Sequence, residues 1–321
     1  MRIYAFIASI ILAFSSTGYS GAALIDLQTP AEAPPRVSAK FQPEITKLAA
    51  AGYRVKEAVE ASLDGTAQHL AATFERAKPK DPSEAYEFRI LESDGQSVKT
   101  IFQRSDFFFS FSAAGEPSGL NATDINGDGL KEIVVQSSSG GNCWSCNPIE
   151  IYRVKNHKGE LIAAAPIQKI TDLNGDHVAE LVVADARWEV YEDLSHAAAP
   201  SAMMIYGWRD GRYVYASRDF SAFYKGELDR LRAEVETSKE EITTDEFSDE
   251  IYVGRAISIA ITLSHLGETD RGLKELETLM NSNAKSAEQR KRRRAVLVDF
   301  TTGESSKKLR EMKPGDPMPL G

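Results

Sequence analysis

DINGDGLKEIVVQS at 124–137 and DLNGDHVAELVVAD at 172–185 decide the expected fold of this 321-residue chain. In each stretch, acidic or amide side chains stand at alternate positions of a nine-residue loop, and a run rich in β-branched residues follows. Such runs favour β-strands. The first aspartates stand at Asp124 and Asp172, a spacing typical of repeat proteins in which each unit is one small sheet, such as propeller blades.

Each acidic loop opens a longer unit with the same order of elements: loop, strand, connection and hairpin. The first unit continues to IEIYRVKNHKGELIAAAP (149–166) and the second to AMMIYGWRDGRYVYAS (202–217). The turn signals Lys158-Gly159 and Asp210-Gly211 are expected to close the two hairpins.

The residues before these units also indicate β-structure. YRVKEAVEASL (53–63) is compatible with a helix or a strand, and its β-branched residues favour a strand. YEFRILE (86–92) and VKTIFQR (98–104) flank a polar turn and predict a hairpin. We therefore expect a β repeat domain over 45–220.

The last third of the chain has helical spacing instead. LDRLRAEVE (228–236), residues 250–266 and DRGLKELETLM (270–280) repeat apolar residues at intervals of three and four, which predicts an α-helical domain over 225–310. Three prolines near the C-terminus predict a disordered tail over 311–321.

The N-terminus predicts export. Residues 1–22 combine Arg2, an unbroken apolar run and small residues near a cleavage point, the pattern of a signal peptide. A proline-rich linker is expected at 23–44. We expect a periplasmic or extracellular protein without integral membrane insertion. The net charge of −9 disfavours nucleic acid as a partner.

The alternating side chains of the two loops are donors that suit Ca²⁺, which takes six to eight oxygens from carboxylates and carbonyls. The candidate metal ligands are Asp124, Asn126, Asp128, the Leu130 carbonyl and Glu132 in the first loop, and Asp172, Asn174, Asp176, the Val178 carbonyl and Glu180 in the second. We expect Ca²⁺ as a structural cofactor. An Asx-rich turn that leads into a strand without metal is the alternative.

The two loops resemble the FG-GAP/VCBS repeat family of the secreted bacterial type, whose loops have the form D-x-N-x-D-G-x-x-D before a strand. The resemblance covers residues 121–217 and implies blades of a β-propeller. We therefore expect a β-propeller-like repeat domain, complete or incomplete, followed by an α-helical C-terminal domain, α+β in all. Two features depart from the pattern. Glu132 and Glu180 replace its last aspartate, and His177 replaces the glycine found at 129, which predicts weaker binding at the second loop.

The only two cysteines, Cys143 and Cys146, have C-x-x-C spacing. In an oxidising compartment a lone pair of cysteines is expected to form a disulfide. A structural disulfide that pins a loop, a redox-active pair and a metal-binding pair all remain open.

The sequence contains no recognisable catalytic constellation, so an enzyme is the less favoured function class. We expect a secreted calcium-binding repeat protein that acts as a binding or scaffold module for a protein or glycan partner. The alternative is a secreted hydrolase whose calcium loops only support a site elsewhere.

Overall fold

Three antiparallel sheets take up most of the described chain before residue 216, and helices take up most of it after. The computed structural model describes residues 35–111, 122–141, 143–191, 194–282 and 284–320. The signal peptide expected at 1–22 and much of the linker expected at 23–44 lie outside the described residues. The linker's last residues enter α1 (Gln42–Ala50), a short helix with a proline in its first turn.

The described residues contain twelve strands, which form three four-stranded meanders in which each strand pairs with its sequence neighbours in the same sheet. Sheet 1 contains β1 (Tyr53–Ala61), β2 (Gln68–Arg76), β3 (Tyr86–Ser93) and β4 (Val98–Asp106). Sheet 2 contains β5 (Phe108–Ser110), β6 (Ile133–Ser138), β7 (Ile149–Lys155) and β8 (Lys158–Ala165). Sheet 3 contains β9 (Ile167–Thr171), β10 (Glu180–Ala184), β11 (Met203–Arg209) and β12 (Arg212–Tyr215).

The run of apolar residues in β6 is buried on both faces of sheet 2. Ile133 and Val135 pack with Phe88 of sheet 1, whereas Val134 packs with Leu181 of sheet 3. Successive side chains of a strand point to opposite faces, so a continuous apolar run indicates a strand covered on both sides. Sheet 2 is therefore the middle layer of the described β-structure.

In the described residues, five further helices follow sheet 3, and their apolar core also contains Trp188 and Ala202 from the segment between β10 and β11. These helices are α2 (Ser221–Glu241), α3 (Glu246–His265), α4 (Thr269–Met280), α5 (Ala287–Thr302) and α6 (Glu304–Leu309). Helix α3 is buried on nearly every side from Tyr252 onward, as expected of a helix that is apolar all round. No helix in the described ranges is long and apolar enough to cross a membrane.

The expectation of a β-propeller-like repeat domain is wrong for the described residues. They form three separate four-stranded sheets and no closed ring of blades. The outer face of sheet 1 packs against α1 through Phe74 and Leu91, and sheet 3 packs against α2 through Ile205 and Tyr224. Helices therefore cover the faces that further blades of a propeller would need.

The hairpin between β7 and β8 turns two residues earlier than predicted. Asn156 and His157 occupy the turn with φ of 51° and 60°, and Lys158 and Gly159 already belong to β8. Two consecutive positive φ angles are the geometry of a tight hairpin turn, and asparagine adopts it readily. The second predicted turn, Asp210-Gly211, does join β11 to β12.

The C-terminal tail is ordered against sheet 3, so the expectation of disorder over 311–321 is wrong for 311–320. The amide of Tyr215 donates to the carbonyl of Asp316 (2.8 Å), and the amide of Met318 donates to the carbonyl of Tyr213 (3.0 Å). Met318 is buried in the core shared by sheets 2 and 3. Proline is tolerated beside an edge strand, and the tail covers the exposed edge of β12.

Candidate functional site

The first acidic loop is organised by its own side chains. Asp124 accepts hydrogen bonds from the amides of Gly127 (2.8 Å) and Gly129 (2.9 Å). Asn126 accepts one from the amide of Asp128 (2.9 Å). These bonds draw the backbone around the side chains at the first, third and fifth positions, which are three of the expected calcium ligands.

The second loop repeats the same bonds at the same positions. Asp172 accepts hydrogen bonds from the amides of Gly175 (2.6 Å) and His177 (2.9 Å), and Asn174 accepts one from the amide of Asp176 (2.9 Å). His177 has a φ of 69°. This confirms that a non-glycine residue occupies a left-handed position in the second loop.

A buried glutamate closes each loop at its ninth position. Glu132 accepts the amide N–H of Ile125 (3.0 Å), and Glu180 accepts that of Leu173 (2.8 Å). Burial raises the pKa of Glu132 to about 7, and the nearby charges of Asp128 and Asp124 act in the same direction. Burial likewise raises the pKa of Glu180. Each loop thus holds a glutamate whose charged form is disfavoured by burial unless a cation lies nearby.

No basic side chain in the described residues forms an ion pair with the carboxylates of the two loops. Within the described ranges, no lysine, arginine or histidine nitrogen lies within 4.0 Å of the loop carboxylates. The six carboxylates are those of Asp124, Asp128, Glu132, Asp172, Asp176 and Glu180. In neither loop do the oxygens of the three carboxylates all lie within 4.8 Å of one another. Oxygens on opposite sides of Ca²⁺ are about 5 Å apart at Ca–O distances of 2.3–2.6 Å, so this spacing does not argue against an ion.

The two loops contact each other. The amide of Ala179 donates a hydrogen bond to the carbonyl of Ile125 (2.8 Å). A side chain at Gly127 would come within 2.9 Å of Val178. A change in the conformation of one loop therefore acts directly on the backbone of the other.

Sheet 1 carries a third version of the same closing contact, which the sequence analysis missed. His69, at the start of β2, accepts the amide N–H of Leu63 through Nδ1 (3.2 Å). It therefore takes the place that Glu132 and Glu180 hold in sheets 2 and 3. All three contacts join the amide of an apolar residue to a side-chain acceptor six or seven positions later. This spacing could have predicted the contact in sheet 1, but histidine stands there in place of glutamate.

Asp64, His69 and Glu92 form the one group of three acidic or histidine side chains in the described residues whose ligand atoms all lie within 4.8 Å. Because Nδ1 of His69 accepts the N–H of Leu63, the neutral ring carries its proton on Nε2. That nitrogen faces Glu92 at 3.4 Å without the alignment of a hydrogen bond. A metal on Nε2 needs the opposite tautomer, with Nδ1 as the donor. The donor set therefore fits a buried polar contact better than a metal centre.

Glu92 also joins sheet 1 to sheet 2. Its carboxylate lies 2.8 Å from Nζ of Lys99 and 2.9 Å from Nδ1 of His157 in the β7–β8 turn. Burial raises the pKa of Glu92, but the hydrogen bonds from Lys99 and His157 outweigh it, so the pKa lies below its ordinary value. The cluster around His69 is thus a buried structural contact between sheets.

Cys143 and Cys146 are paired as a disulfide in the loop between β6 and β7. The carboxylate of Glu189 accepts the amides of Trp144 and Ser145. The Ser145 hydroxyl lies 3.4 Å from Sγ of Cys143 and 3.4 Å from Oε2 of Glu189. Glu189 follows β10 and is distant in sequence from the disulfide loop. No local sequence pattern could therefore have predicted this contact.

A second buried polar cluster joins sheet 3 to the helices. Asp185 accepts hydrogen bonds from Nη2 of Arg187 (2.7 Å) and Nε1 of Trp188 (3.1 Å). Nδ1 of His265 lies 2.8 Å from the Tyr215 hydroxyl, and its Nε2 faces Asp185. This order of tyrosine, histidine and aspartate resembles a catalytic relay. All three side chains are buried, however, which excludes a substrate from them in this conformation.

No protein-family model matches the chain, and no curated protein matches it significantly.

An apolar cavity of about 450 Å³ lies between sheet 3 and the C-terminal tail. Its walls include Val183, Met204, Tyr206, Met312 and Met318. Arg187 also lines this cavity, but Asp185 already binds its guanidinium through two nitrogens. A cavity of this size and lining suits a small apolar molecule rather than an ionic one.

Proposed function

We propose that this is an exported calcium-binding protein in which two acidic loops hold structural Ca²⁺ ions. One observation carries the proposal: two nine-residue loops repeat one hydrogen-bond register, and none of their six carboxylates has a basic partner among the described residues. Clustered carboxylates repel one another, and a divalent cation relieves that repulsion.

The ligands proposed for each ion come from alternate positions of its loop. They are the side chains of Asp124, Asn126, Asp128 and Glu132 with the Leu130 carbonyl, and the side chains of Asp172, Asn174, Asp176 and Glu180 with the Val178 carbonyl. The resemblance to FG-GAP/VCBS loops supports the same choice. Affinities of extracellular calcium modules are typically about 10⁻⁴–10⁻³ M, which suits a compartment rich in calcium.

A structural role follows from where the loops end. The first loop leads into β6 and the second into β10, and each of these strands lies between two others in its sheet. An ion that fixes the loop also fixes the start of an inner strand. We therefore expect calcium to raise stability rather than to take part in a reaction.

Export and a binding role complete the proposal. The disulfide and the N-terminal sequence pattern support an oxidising compartment, periplasmic or extracellular. Phe107 and Phe108 are adjacent apolar side chains that remain more than a third exposed. Exposed aromatic residues are typical of contact surfaces. We propose a binding or scaffold role toward a protein or glycan partner.

Calorimetric titration with Ca²⁺ tests the metal proposal. The chain without its first 22 residues should bind about two ions, and Asp124→Ala and Asp172→Ala should each weaken or abolish binding at one loop. Melting temperatures with calcium and with a chelator provide the second readout, and the wild type should melt lower in chelator.

Asp94→Ala is a matched control. Asp94 accepts the amides of Gln96 (2.8 Å) and Ser97 (2.7 Å) in a hairpin turn that is not a proposed metal site. Its replacement should lower the melting temperature equally with calcium and with chelator. No heat of calcium binding, together with identical melting curves for the wild type in the two buffers, would show that the loops are metal-free turns.

A further inference from the structure

The Cys143–Cys146 disulfide lies in a tight turn near the protein surface. The amide of Cys146 donates to the carbonyl of Cys143 (3.1 Å), and both cysteines are partly exposed. A side chain at Gly141 would overlap Sγ of Cys146. The turn therefore requires glycine at this position, because any side chain would clash with the disulfide.

The Ser145 hydroxyl has one proton and two acceptors. Its oxygen lies 3.4 Å from Sγ of Cys143 and 3.4 Å from a carboxylate oxygen of the buried Glu189. A single O–H can donate to only one of them at a time. In the disulfide the carboxylate is the better acceptor, whereas a Cys143 thiolate would be charged and would compete for the proton.

We propose that Cys143–Cys146 is a redox-active couple that accepts two electrons from the thiols of an exposed polypeptide segment. The side chain of Ser145 raises the reduction potential of this couple, and the carboxylate of Glu189 lowers it. Ser145 stabilises the Cys143 thiolate by donating to it, and the negative charge of Glu189 disfavours that thiolate. This activity is independent of the proposed calcium ions.

The exchange proceeds in two balanced steps. A substrate thiolate attacks Sγ of Cys146, which forms a mixed disulfide, breaks the Cys143–Cys146 bond and releases Cys143 as a thiolate. A second substrate thiolate then attacks the substrate sulfur of the mixed disulfide and releases Cys146. The substrate leaves as a disulfide, and the two protons that its thiols lost to solvent are matched by two taken up by the protein.

The surface beside the disulfide suits a polypeptide with apolar side chains. The ring of Phe107 would be 3.3 Å from a side chain placed on Gly140, two residues after the end of β6 and three before Cys143. Val190 directly follows Glu189 and is 84% exposed. Phe107, beside Gly140, and Val190, next to Glu189, are exposed apolar side chains near the loop, as expected of a contact surface for a flexible, cysteine-containing segment.

Equilibration of the purified protein with glutathione buffers of graded ratio, followed by thiol alkylation and mass measurement, tests the couple. The wild type should pass from disulfide to dithiol within the range of ratios. Ser145→Ala should shift the equilibrium constant about tenfold toward the disulfide, and Glu189→Gln about tenfold toward the dithiol. Each tenfold change corresponds to about 30 mV for a two-electron couple.

Ser139→Ala is the matched control, because its hydroxyl contacts the carbonyl of Cys146 (3.3 Å) and no sulfur. It should leave the equilibrium unchanged. Glu189→Gln retains an acceptor for the loop amides, and an unchanged melting temperature would show that the loop still folds. If Glu189→Gln unfolds the loop, Ser145→Ala alone decides.

Two results would overturn the proposal. One is a disulfide that stays oxidised in a large excess of reduced glutathione, as structural disulfides do. The other is a couple that equilibrates but does not move in Ser145→Ala. A cysteinyl peptide with flanking leucines should reduce the disulfide faster than one with flanking serines, and Phe107→Ser should remove that difference. Equal rates for the two peptides would overturn the part of the proposal that concerns the substrate.

Discussion

Nε2 of His265 lies 3.2 Å from Oδ2 of Asp185, which brings the last turn of α3 against the end of β10. The same carboxylate binds Arg187, and Arg187 in turn donates to the carbonyl of Lys308 in α6 (3.3 Å). Burial raises the pKa of Asp185, but the hydrogen bonds from Arg187 and His265 outweigh it and leave the pKa well below its ordinary value. One aspartate thus connects a sheet to two helices.

Replacing this aspartate should destabilise the whole protein. Asp185→Asn keeps the size of the side chain but removes the buried partner of Arg187, whose remaining ion pair among the described residues is with the exposed Glu311. Removing one partner of a buried ion pair typically costs about 3–5 kcal/mol. Urea unfolding at neutral pH should show a loss of that order.

Asp219→Asn provides the comparison for this variant. Asp219 lies 2.6 Å from Arg209, but both side chains are about half exposed. Exposed pairs contribute about 0–1 kcal/mol. Equal losses for Asp185→Asn and Asp219→Asn would contradict the role assigned to Asp185.

The stability that Asp185 contributes to the folded protein should decrease as the pH falls. The pKa of Asp185 in the folded protein lies below the value of about 3.9 expected in the unfolded chain. A lowered carboxyl pKa contributes stability above the unfolded value, and this contribution is lost as the pH falls through the folded value. The difference in unfolding free energy between the wild type and Asp185→Asn should therefore shrink from about pH 5 downward. A difference that stays constant between about pH 6 and pH 3 would contradict the pKa shift.

Local patterns in the sequence predicted strands and helices well, but not the contacts that join them. The β-branched residues after each acidic loop predicted β6 and β10, and the spacing in 270–280 predicted α4 almost to the residue. The repeat suggested a propeller because similar units commonly close into a ring. How many sheets stack depends on what covers the outer faces, which no single unit encodes. For the same reason, the contact between Ser145 and Glu189 depends on packing between sheets.

The closing contact in sheet 1 predicts a local effect at one amide. His69→Ala removes the acceptor of the Leu63 N–H, and both residues are buried. A buried donor left unsatisfied costs about 1–3 kcal/mol. Hydrogen exchange at the Leu63 amide should become faster, while exchange at the Ile125 amide, which is bound to Glu132, should change less. His69→Gln can still offer an acceptor and should restore part of the protection. Unchanged exchange at Leu63 in His69→Ala would refute the contact.

The hydrogen bond between the two acidic loops predicts coupling, if the loops bind calcium as proposed. Loss of an ion from the first loop by Asp124→Ala should loosen the carbonyl of Ile125, which accepts the amide of Ala179 in the second loop. Calorimetry should then show weaker binding at the remaining loop as well as the loss of one ion. Binding at the second loop with wild-type affinity would show that the loops are independent.

Backbone strain at one loop position predicts a pair of opposite effects. His177 and Gly129 stand at the same position of the two loops, with φ of 69° and 85°. No atom lies within 4 Å of a side chain placed on Gly129, so Gly129→Ala adds backbone strain without a clash. We expect Gly129→Ala to cost about 1 kcal/mol and His177→Gly to gain about as much, because a non-glycine residue in the left-handed region is strained.

Gly226 separates strain from the general effect of adding a methyl group. Gly226 lies in the interior of α2 and is exposed. A methyl group at its Cβ position would contact no neighbouring residue within 4 Å. Gly226→Ala should therefore stabilise the protein by about 1 kcal/mol. Urea unfolding of the three variants in chelator measures the backbone effect without any ion. The strain at position 177 is real only if Gly129→Ala and Gly226→Ala have opposite signs and His177→Gly is stabilising. Repeating the titration with calcium should then show tighter binding for His177→Gly, since the loop no longer has to hold histidine at a positive φ.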